Sequence, residues 1–182
     1  MPSRTCSVCR ARRQTTTMIP LGLDQGGSLT VGTPDTGKRA WICRRRHCVE
    51  RAETHPGSIA RHFKQRVKTP EDWKSQISAV RISHQTTLLR QAHRSGLVVS
   101  GRSQVIEQSD HLLAILLTAD AGSGVSTEVT HSKSGISTYI IEANKAQIGH
   151  LLRTGPRSVL GLRSGRTTQS LIDSLQGWVS VG

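Results

Sequence analysis

Aromatic residues are scarce in this chain of 182 residues, which has three tryptophans, one tyrosine and one phenylalanine. Single-stranded nucleic acid is commonly bound by several aromatic side chains on which bases stack, so the scarcity disfavours that mode of binding. Long apolar runs are also missing, because the longest, residues 112–117, suits a buried strand and is far shorter than a membrane span. The amino terminus has no apolar stretch like that of a signal peptide. We therefore expect a cytoplasmic protein that does not enter a membrane.

Acidic residues are few, with 12 Asp and Glu against 25 Lys and Arg, and the formal net charge is +13. An excess of this size makes a phosphate-rich partner the first to consider. The charge is unevenly distributed, since residues 1–85 carry 16 Lys and Arg against 6 Asp and Glu, and residues 86–182 carry 9 against 6. The first half is therefore the expected electrostatic contact with a polyanion.

Residues that suggest catalysis do not converge in the sequence. The histidines are scattered, and none is paired with an acid at a recognisable spacing. No glycine-rich loop precedes a lysine in the pattern that cradles nucleotide phosphates. We therefore expect a protein that is not an enzyme and takes no small-molecule substrate. The scattered histidines are His55, His62, His84, His93, His111, His131 and His150.

All four cysteines lie before residue 49, with Cys6 and Cys9 in a Cys-x2-Cys pair and Cys43 and Cys48 in a Cys-x4-Cys pair. In a cytosolic chain, paired cysteines more often bind metal or stay reduced than form disulfides. Each pair can occupy a tight turn, and two facing turns make a tetrahedral thiolate site for zinc, with His47 as a spare ligand. The three arginines before His47 are expected to lower the thiol pKa values. The alternative is four reduced cysteines without metal.

Basic residues are concentrated around these cysteines. Their density and single sign favour a nucleic-acid contact over an ordinary solvated surface, because guanidinium groups bind phosphate in a bidentate manner and stack on bases. No helix-turn-helix or zinc-finger helix is evident, so structured RNA is favoured over sequence-specific DNA recognition. The candidate contacts in this half are Arg4, Arg10, Arg12, Arg13, Lys38, Arg39, Trp41, Arg44, Arg45 and Arg46.

The pattern over residues 1–85 predicts a small α+β domain, a short β-sheet with helices, that ends in a connecting helix. Strands are predicted at 18–23, 28–31 and 39–43, and helices at 46–54, from 58 and from 70. The first two strands flank the turn Asp24-Gln25-Gly26-Gly27. Apolar residues are thin here, so a small core would benefit from a metal that ties the chain together.

The pattern over residues 86–182 alternates helices with apolar strands. Such an alternation predicts a second domain that is a three-layer α/β/α sandwich. Gly96 is expected to end the first of these helices, and Asn144 to cap the third. Helices are predicted at 86–95, 103–108, 144–153 and 168–175, and strands at 97–99, 112–119, 137–143 and 158–162.

Two segments of the first half, Arg4-Thr5-Cys6-Ser7-Val8-Cys9 and Gly37-Lys38-Arg39-Ala40-Trp41-Ile42-Cys43, resemble the YlxR family of small bacterial RNA-binding proteins. The resemblance covers roughly residues 3–70. That family has an Arg-x-Cys-x-x-Cys opening and a Gly-Arg-Gly-Ala-Tyr/Trp-x-Cys strand, in which Lys38 and Arg39 here replace Arg and the second Gly. It implies a basic RNA-binding domain, and a role in modulating ribonuclease P has been proposed for the family.

The second half resembles the YlxQ branch of the kink-turn-binding ribosomal-protein superfamily, over about residues 86–176. The likeness rests on the segments 95–101, 118–120 and 155–160. In that superfamily a Gly-x-Asn-Glu-x-x-Lys helix start grips the kink-turn, and the corresponding segment here has neither Asn nor Glu. The resemblance implies RNA contacts at this helix start and at the loop 154–158, namely from Gly101, Arg102, Ser103, Gln104 and Arg157.

The sequence thus predicts a fusion of a YlxR-like domain, residues 1–85, with a YlxQ-like domain, residues 86–182, that binds structured RNA without catalysis. Ribosomal RNA, the ribonuclease P RNA and a transcript are the partners that the resemblance implies, with the ribosome or ribonuclease P as the assembly. The alternative is an interaction adaptor of the transcription or translation machinery, whose arginines meet an acidic protein surface. A component of an RNA methyltransferase is disfavoured, because the chain leaves little room for a catalytic domain.

Overall fold

A computed structural model describes residues 2–32, 37–124, 127 and 135–177. The chain is mixed α/β, with three sheets and six α-helices among these residues. It divides into two compact units, a first unit that runs to Arg81 and a second unit, Ile82–Gln176. Within the described residues, no helix combines the length and the apolar character needed to cross a membrane. His131 lies outside the described residues.

The first unit contains a two-stranded hairpin and a three-stranded antiparallel sheet of order β4-β3-β5. The predicted strands and helices are present within a few residues of their expected bounds. The hairpin was not predicted from the sequence. The elements are β1 (Ser3–Thr5), β2 (Arg12–Gln14), β3 (Met18–Leu23), β4 (Leu29–Val31), β5 (Ala40–Cys43), α1 (Arg46–Thr54) and α2 (Gly57–Phe63).

The core of the first unit is small and includes three of the four cysteines. Strand β3 supplies Met18, Ile19 and Leu21, all of them at most 1% exposed, and pairs with a strand on each side. The turn from β3 to β4 is closed by the carboxylate of Asp24, whose Oδ1 accepts a hydrogen bond from the backbone of Ser28 at 2.8 Å. The cysteines in this core are Cys6, Cys43 and Cys48.

Helix α3 (Trp73–Arg94) replaces the two helices that the sequence predicted, one from residue 70 and one over residues 86–95. Pro70 and Gly96 flank it, and no glycine or proline interrupts the residues between Trp73 and Arg94. A helix without a breaker continues, so the predicted interruption was wrong. Trp73 and Ile77 belong to the core of the first unit, and Leu89 to a core of the second. The predicted domain boundary, at residues 85–86, lies within this same helix.

The second unit has a four-stranded sheet of order β6-β9-β7-β8. Strand β9 is antiparallel to both β6 and β7, and β8 is parallel to β7, so β6, β7 and β8 run in the same direction. Their carboxyl ends therefore meet at one edge of the sheet. The elements are β6 (Val98–Ser100), α4 (Arg102–Glu107), β7 (Leu112–Thr118), β8 (Ser137–Ile141), α5 (Lys145–Leu152), β9 (Val159–Arg163) and α6 (Arg166–Gly177).

Side chains of this sheet pack against helices on both faces. On one face, Ala114 and Leu116 of β7 pack with residues of α3, α5 and α6. On the other face, Ile115 and Leu117 of β7 pack with Val105 of α4. A strand buried on both faces has a continuous apolar sequence, which is why residues 112–117 carry no polar side chain.

Candidate metal centre and nucleic-acid interface

The four cysteines meet in one place, which we call the four-cysteine cluster (Cys6, Cys9, Cys43 and Cys48). The four Sγ atoms all lie within 4.8 Å of one another. Two of the separations are shorter, 3.9 Å between Cys6 and Cys48 and 3.7 Å between Cys9 and Cys43. All four cysteines are free thiols, with Cys9 exposed and the other three buried. His47, the predicted spare ligand, is exposed and lies outside the cluster.

Local backbone geometry brings the two cysteine pairs together. The amides of Cys9 and Cys43 point at the sulfur of Cys6, at 3.5 and 3.3 Å. Arg10 has a φ of 63°, a left-handed conformation that closes the turn after Cys9. The backbone of Ser7 donates to the carbonyl of Trp41 at 2.8 Å and so ties this turn to β5. Cys48 lies in the first turn of α1, where the helix dipole favours a thiolate.

The separations fit a tetrahedral metal site. A zinc ion about 2.3 Å from each of four thiolates separates neighbouring sulfurs by about 3.8 Å. The two short distances match this edge, whereas a disulfide would bring two sulfurs to about 2 Å. Four sulfur ligands with amides directed at one of them form the donor set that structural zinc prefers. The cluster can therefore hold a metal ion.

The pKa values of the four-cysteine cluster differ from one thiol to another. Burial raises the pKa of Cys9, but a hydrogen bond from the backbone of Ala11 and the neighbouring thiols outweigh it and bring the pKa to about 7. Burial, with Cys6 and Cys9 nearby, raises the pKa of Cys43 to about 12, and burial raises that of Cys48 as well. The sequence predicted that arginines would lower these values. That prediction was wrong for Cys43 and Cys48, because removal from water dominates.

The turn of the first cysteine pair connects β1 and β2, which form the arginine hairpin (Ser3–Gln14). In its ladder Arg4 lies directly opposite Arg13, and Thr5 opposite Arg12. No side chain of the two strands is buried, and Arg4, Arg12 and Arg13 are all exposed. None of these arginines forms an ion pair with a carboxylate among the described residues. Like charges placed opposite each other destabilise a hairpin, so the pair concentrates positive charge at a cost in stability.

The other predicted contacts of the first unit occupy different environments. Lys38 and Arg39 are exposed just before β5, and Trp41 within that strand is half-buried. Arg44 is half-buried, and burial lowers its pKa to about 10.

The neighbours of Arg44 also differ from each other. Arg45 is exposed at the start of α1. Arg46 is held in an ion pair with Glu50, with 2.6 Å between Nε and Oε1. The run 44–46 therefore does not present three equivalent charges.

In the second unit, the two predicted contact segments lie at the same edge of the sheet. The backbone of Gly101, which precedes α4, donates to Val159 at the start of β9 at 3.2 Å. Arg102, Ser103 and Gln104 are exposed in the first turn of α4. Gly101 has a φ of 102°, a conformation that side chains other than hydrogen rarely allow. The loop 154–158 leads directly into β9, so it flanks the helix start as the resemblance implied.

The loop 154–158 is packed along α5. Its backbone amides at Thr154 and Arg157 donate to the carbonyls of Gly149 and Lys145, at 2.9 and 3.0 Å. Arg157 is half-buried, and its Nη1 donates to the carbonyl of Pro156 at 3.2 Å. The guanidinium of Arg157 is therefore positioned by the loop.

Replacing Gly149 by Ala should displace this loop. A Cβ at residue 149 would lie 2.6 Å from the carbonyl oxygen of Gly155 and 3.0 Å from Cα of Pro156. Backbone cannot yield as a flexible side chain can, so we expect a loss of about 1–3 kcal/mol in the free energy of unfolding, measured by urea denaturation. Gly155→Ala is the matched control, because its Cβ would meet only Nη1 of Arg157, at 3.7 Å. Equal stability of the two variants would contradict the close contact.

A groove lined by basic residues was not predicted from the sequence. It lies between α3 and α5 and has a volume of about 1090 Å³. Its cationic residues come from two distant parts of the chain, so no local motif signals them. The spacing of four between two arginines of α3 was the available signal. The basic residues that line it are Arg90, His93, Arg94, His150 and Arg153.

Comparison with known proteins gives structural likeness only. No protein-family model matches the chain, and no curated protein matches it. A solved structure of a protein of unknown function from Bacillus halodurans is 20% identical, with a TM-score of 0.46, over 50% of this chain and 96% of that one. The 15.5kD RNA-binding protein of Giardia lamblia is 14% identical, with a TM-score of 0.42, over 54% of this chain and 90% of that one. Superpositions at this level do not define a function.

Proposed function

We propose that the chain is a non-catalytic, cytoplasmic RNA-binding protein that contacts structured RNA through both units. The observation that carries the proposal is the arginine hairpin, where Arg4 faces Arg13 without a carboxylate partner among the described residues. A like-charge pair on an exposed, two-stranded ladder weakens the fold. A phosphate backbone between or beside the two guanidinium groups removes that repulsion and adds charge-assisted hydrogen bonds.

A structural zinc ion in the four-cysteine cluster holds the hairpin in place. A two-stranded hairpin with no buried side is marginal in water by itself. The turn that joins its strands carries Cys6 and Cys9, and the metal would cross-link this turn to β5 and α1 through Cys43 and Cys48. The metal supplies no reaction; it fixes the geometry in which the arginines meet RNA. The resemblance to the YlxR family supports RNA contact by this unit.

The second unit contributes shape selection as an α/β/α domain of the kink-turn-binding type. The support is the shared sheet edge, where Gly101 is bonded to Val159 and the loop 154–158 lies beside the start of α4. Arg102, Ser103 and Gln104 stand where the superfamily has its Asn-Glu signature. Their side chains can donate hydrogen bonds but, having no carboxylate, cannot repeat the contact that the Glu makes. We therefore propose a bent or internally looped RNA, such as ribosomal RNA or the ribonuclease P RNA, without strict kink-turn recognition.

The test is equilibrium binding of the intact chain to a structured RNA and to a duplex DNA of equal length, across a salt series. We expect tighter RNA binding at moderate salt, with log Kd rising in proportion to log salt at a slope of about 0.7–0.9 per phosphate contacted. Equal and wholly salt-labile binding to both polymers would reject RNA recognition. The adaptor alternative would then lead, with an acidic protein surface as the partner.

A further inference from the structure

Between α3 and α5 lies the basic groove, lined by Arg90, Arg94 and Arg153 together with two histidines. We propose that this groove is a separate RNA-contact site, which binds the phosphate backbone of the strand that leaves the loop 154–158. The inference rests on the proposed RNA-binding function and adds a site that neither the cysteine-rich unit nor the α4 start contains. Thr154 links the two places, because it begins the loop and also lines the groove.

Charge in the groove is mainly positive, with three arginines against one carboxylate. Arg90 and Arg94 are exposed and four residues apart, so they lie on one face of α3 and repel each other. Neither these arginines nor Arg153 forms an ion pair with a carboxylate of the described residues. One carboxylate, Glu142, is among the groove residues. A bound polyanion is the partner that turns this repulsion into attraction.

The conformation of Arg153 adds an independent observation. Arg153 follows α5 with a φ of 56° and a ψ of 43°, the left-handed position that favours glycine at the end of a helix. An arginine there carries conformational strain that glycine would avoid. The strained residue is thus also one that places a guanidinium in the groove.

The floor of the groove favours a nucleic-acid backbone over a protein helix. Its apolar members are all buried or half-buried, and the lining side chains that are exposed are all polar or charged, so an amphipathic helix would find no fully exposed apolar side chain to cover. Among the residues that line the groove there is no tryptophan, tyrosine or phenylalanine, so bases have no such platform on which to stack. Phosphate contact by arginine therefore accounts best for the lining.

The experiment measures RNA affinity, salt dependence and thermal stability of full-length variants with the structured RNA of the first test. Arg90→Gln with Arg94→Gln should weaken binding about tenfold and lower the salt slope by about 1–2, without loss of Tm. Arg166→Gln with Ser170→Glu changes the net charge by the same amount on the exposed surface of α6 and should leave affinity nearly unchanged. Arg153→Gly should weaken binding several-fold while Tm stays equal or rises.

The outcomes separate this inference from the function on which it rests. Absence of RNA binding by the unaltered protein would overturn the proposed function and the groove site together. Tight RNA binding that the groove substitutions leave unchanged would overturn the groove site alone. A fall in Tm of Arg153→Gly with unchanged RNA affinity would mean that these arginines stabilise the carboxyl ends of their helices and do not bind RNA, which would overturn the groove site. The same variants are also titrated with polyglutamate, a model of an acidic protein surface. If the groove substitutions abolish polyglutamate binding but leave RNA binding intact, the groove is a protein contact, against this proposal.

Discussion

Removing the proposed zinc ion from the four-cysteine cluster is expected to unfold the first unit and leave the second unit folded. Three of the cysteines belong to the core of the first unit, and the two strands of the arginine hairpin have no buried side chain. Structural zinc contributes on the order of 10 kcal/mol in small domains, which matches or exceeds the total stability that such a core provides. The purified chain should therefore carry one zinc ion, and a strong chelator should release it together with the fold of the first unit.

Tryptophan fluorescence can follow this unfolding in one unit. Trp73 is buried in the core of the first unit and Trp41 packs against that core, whereas Tyr139 is in the second. The third tryptophan, Trp178, lies outside the described residues and is replaced by Phe so that only Trp41 and Trp73 emit. In this variant, chelation should shift the tryptophan emission to longer wavelength, and added zinc should restore it. Cys48→Ser should give the unfolded signal without chelator. A chain that is purified without metal and is indifferent to chelator would instead have four reduced cysteines, the alternative that the spacing left open.

The strands and helices were predictable where the side chains alternate or recur with a clear period. Strand β7 is an unbroken apolar run, and Asn144 caps α5 through a reciprocal pair of hydrogen bonds with Gln147, at 2.9 and 2.8 Å. An apolar run and a capping residue are both recognisable from neighbouring residues in the sequence. The predicted break in α3 failed because the buried side changes along it, from Trp73 and Ile77 to Leu89, and in the sequence this change resembles the junction of two helices.

The arginine hairpin escaped prediction because its strands carry no hydrophobic pattern. Ser3–Thr5 and Arg12–Gln14 contain polar residues alone, and both strands are exposed or half-buried. Their pairing follows from the turn after Cys6 rather than from burial. Arg10 adopts a left-handed conformation in that turn. A glycine at this position would have indicated a turn, whereas an arginine does not.

The meeting of the four cysteines was predictable from their spacing, but the acidity of their thiols was not. Two cysteine pairs at turn spacing were enough to predict that four sulfurs meet. The pKa of Cys43 depends on how deeply the folded chain buries it, which no local pattern records. The basic groove depends likewise on the packing of α3 against α5, so its residues look like scattered surface charges in the sequence.

A single substitution, Arg13→Glu, is expected to weaken RNA binding while it stabilises the hairpin. The introduced carboxylate would face Arg4 across the ladder and replace a like-charge pair by an attractive one, worth about 0.2–1 kcal/mol. The same change removes one phosphate contact and adds a repulsive charge, so the affinity for structured RNA should fall at least tenfold and the salt slope should fall by about 1. Reversing Arg4 as well should bring the loss to roughly 100-fold and return the like-charge repulsion to the hairpin.

If the hairpin binds RNA, Arg13→Glu should raise the thermal stability of the chain and lower its affinity for RNA. These opposite changes are the decisive part of the result. Thermal unfolding of the zinc-loaded chain measures the first quantity, and titration with RNA at constant salt measures the second. Lys74→Glu is the matched control, because Lys74 is an exposed cation of the same unit, on α3 and outside the hairpin. An equal loss of affinity at Lys74 would mean that RNA responds only to net charge. Unchanged affinity of Arg13→Glu would show that the hairpin is not part of the RNA interface, because reversing the charge of a residue that contacts phosphate must lower the affinity.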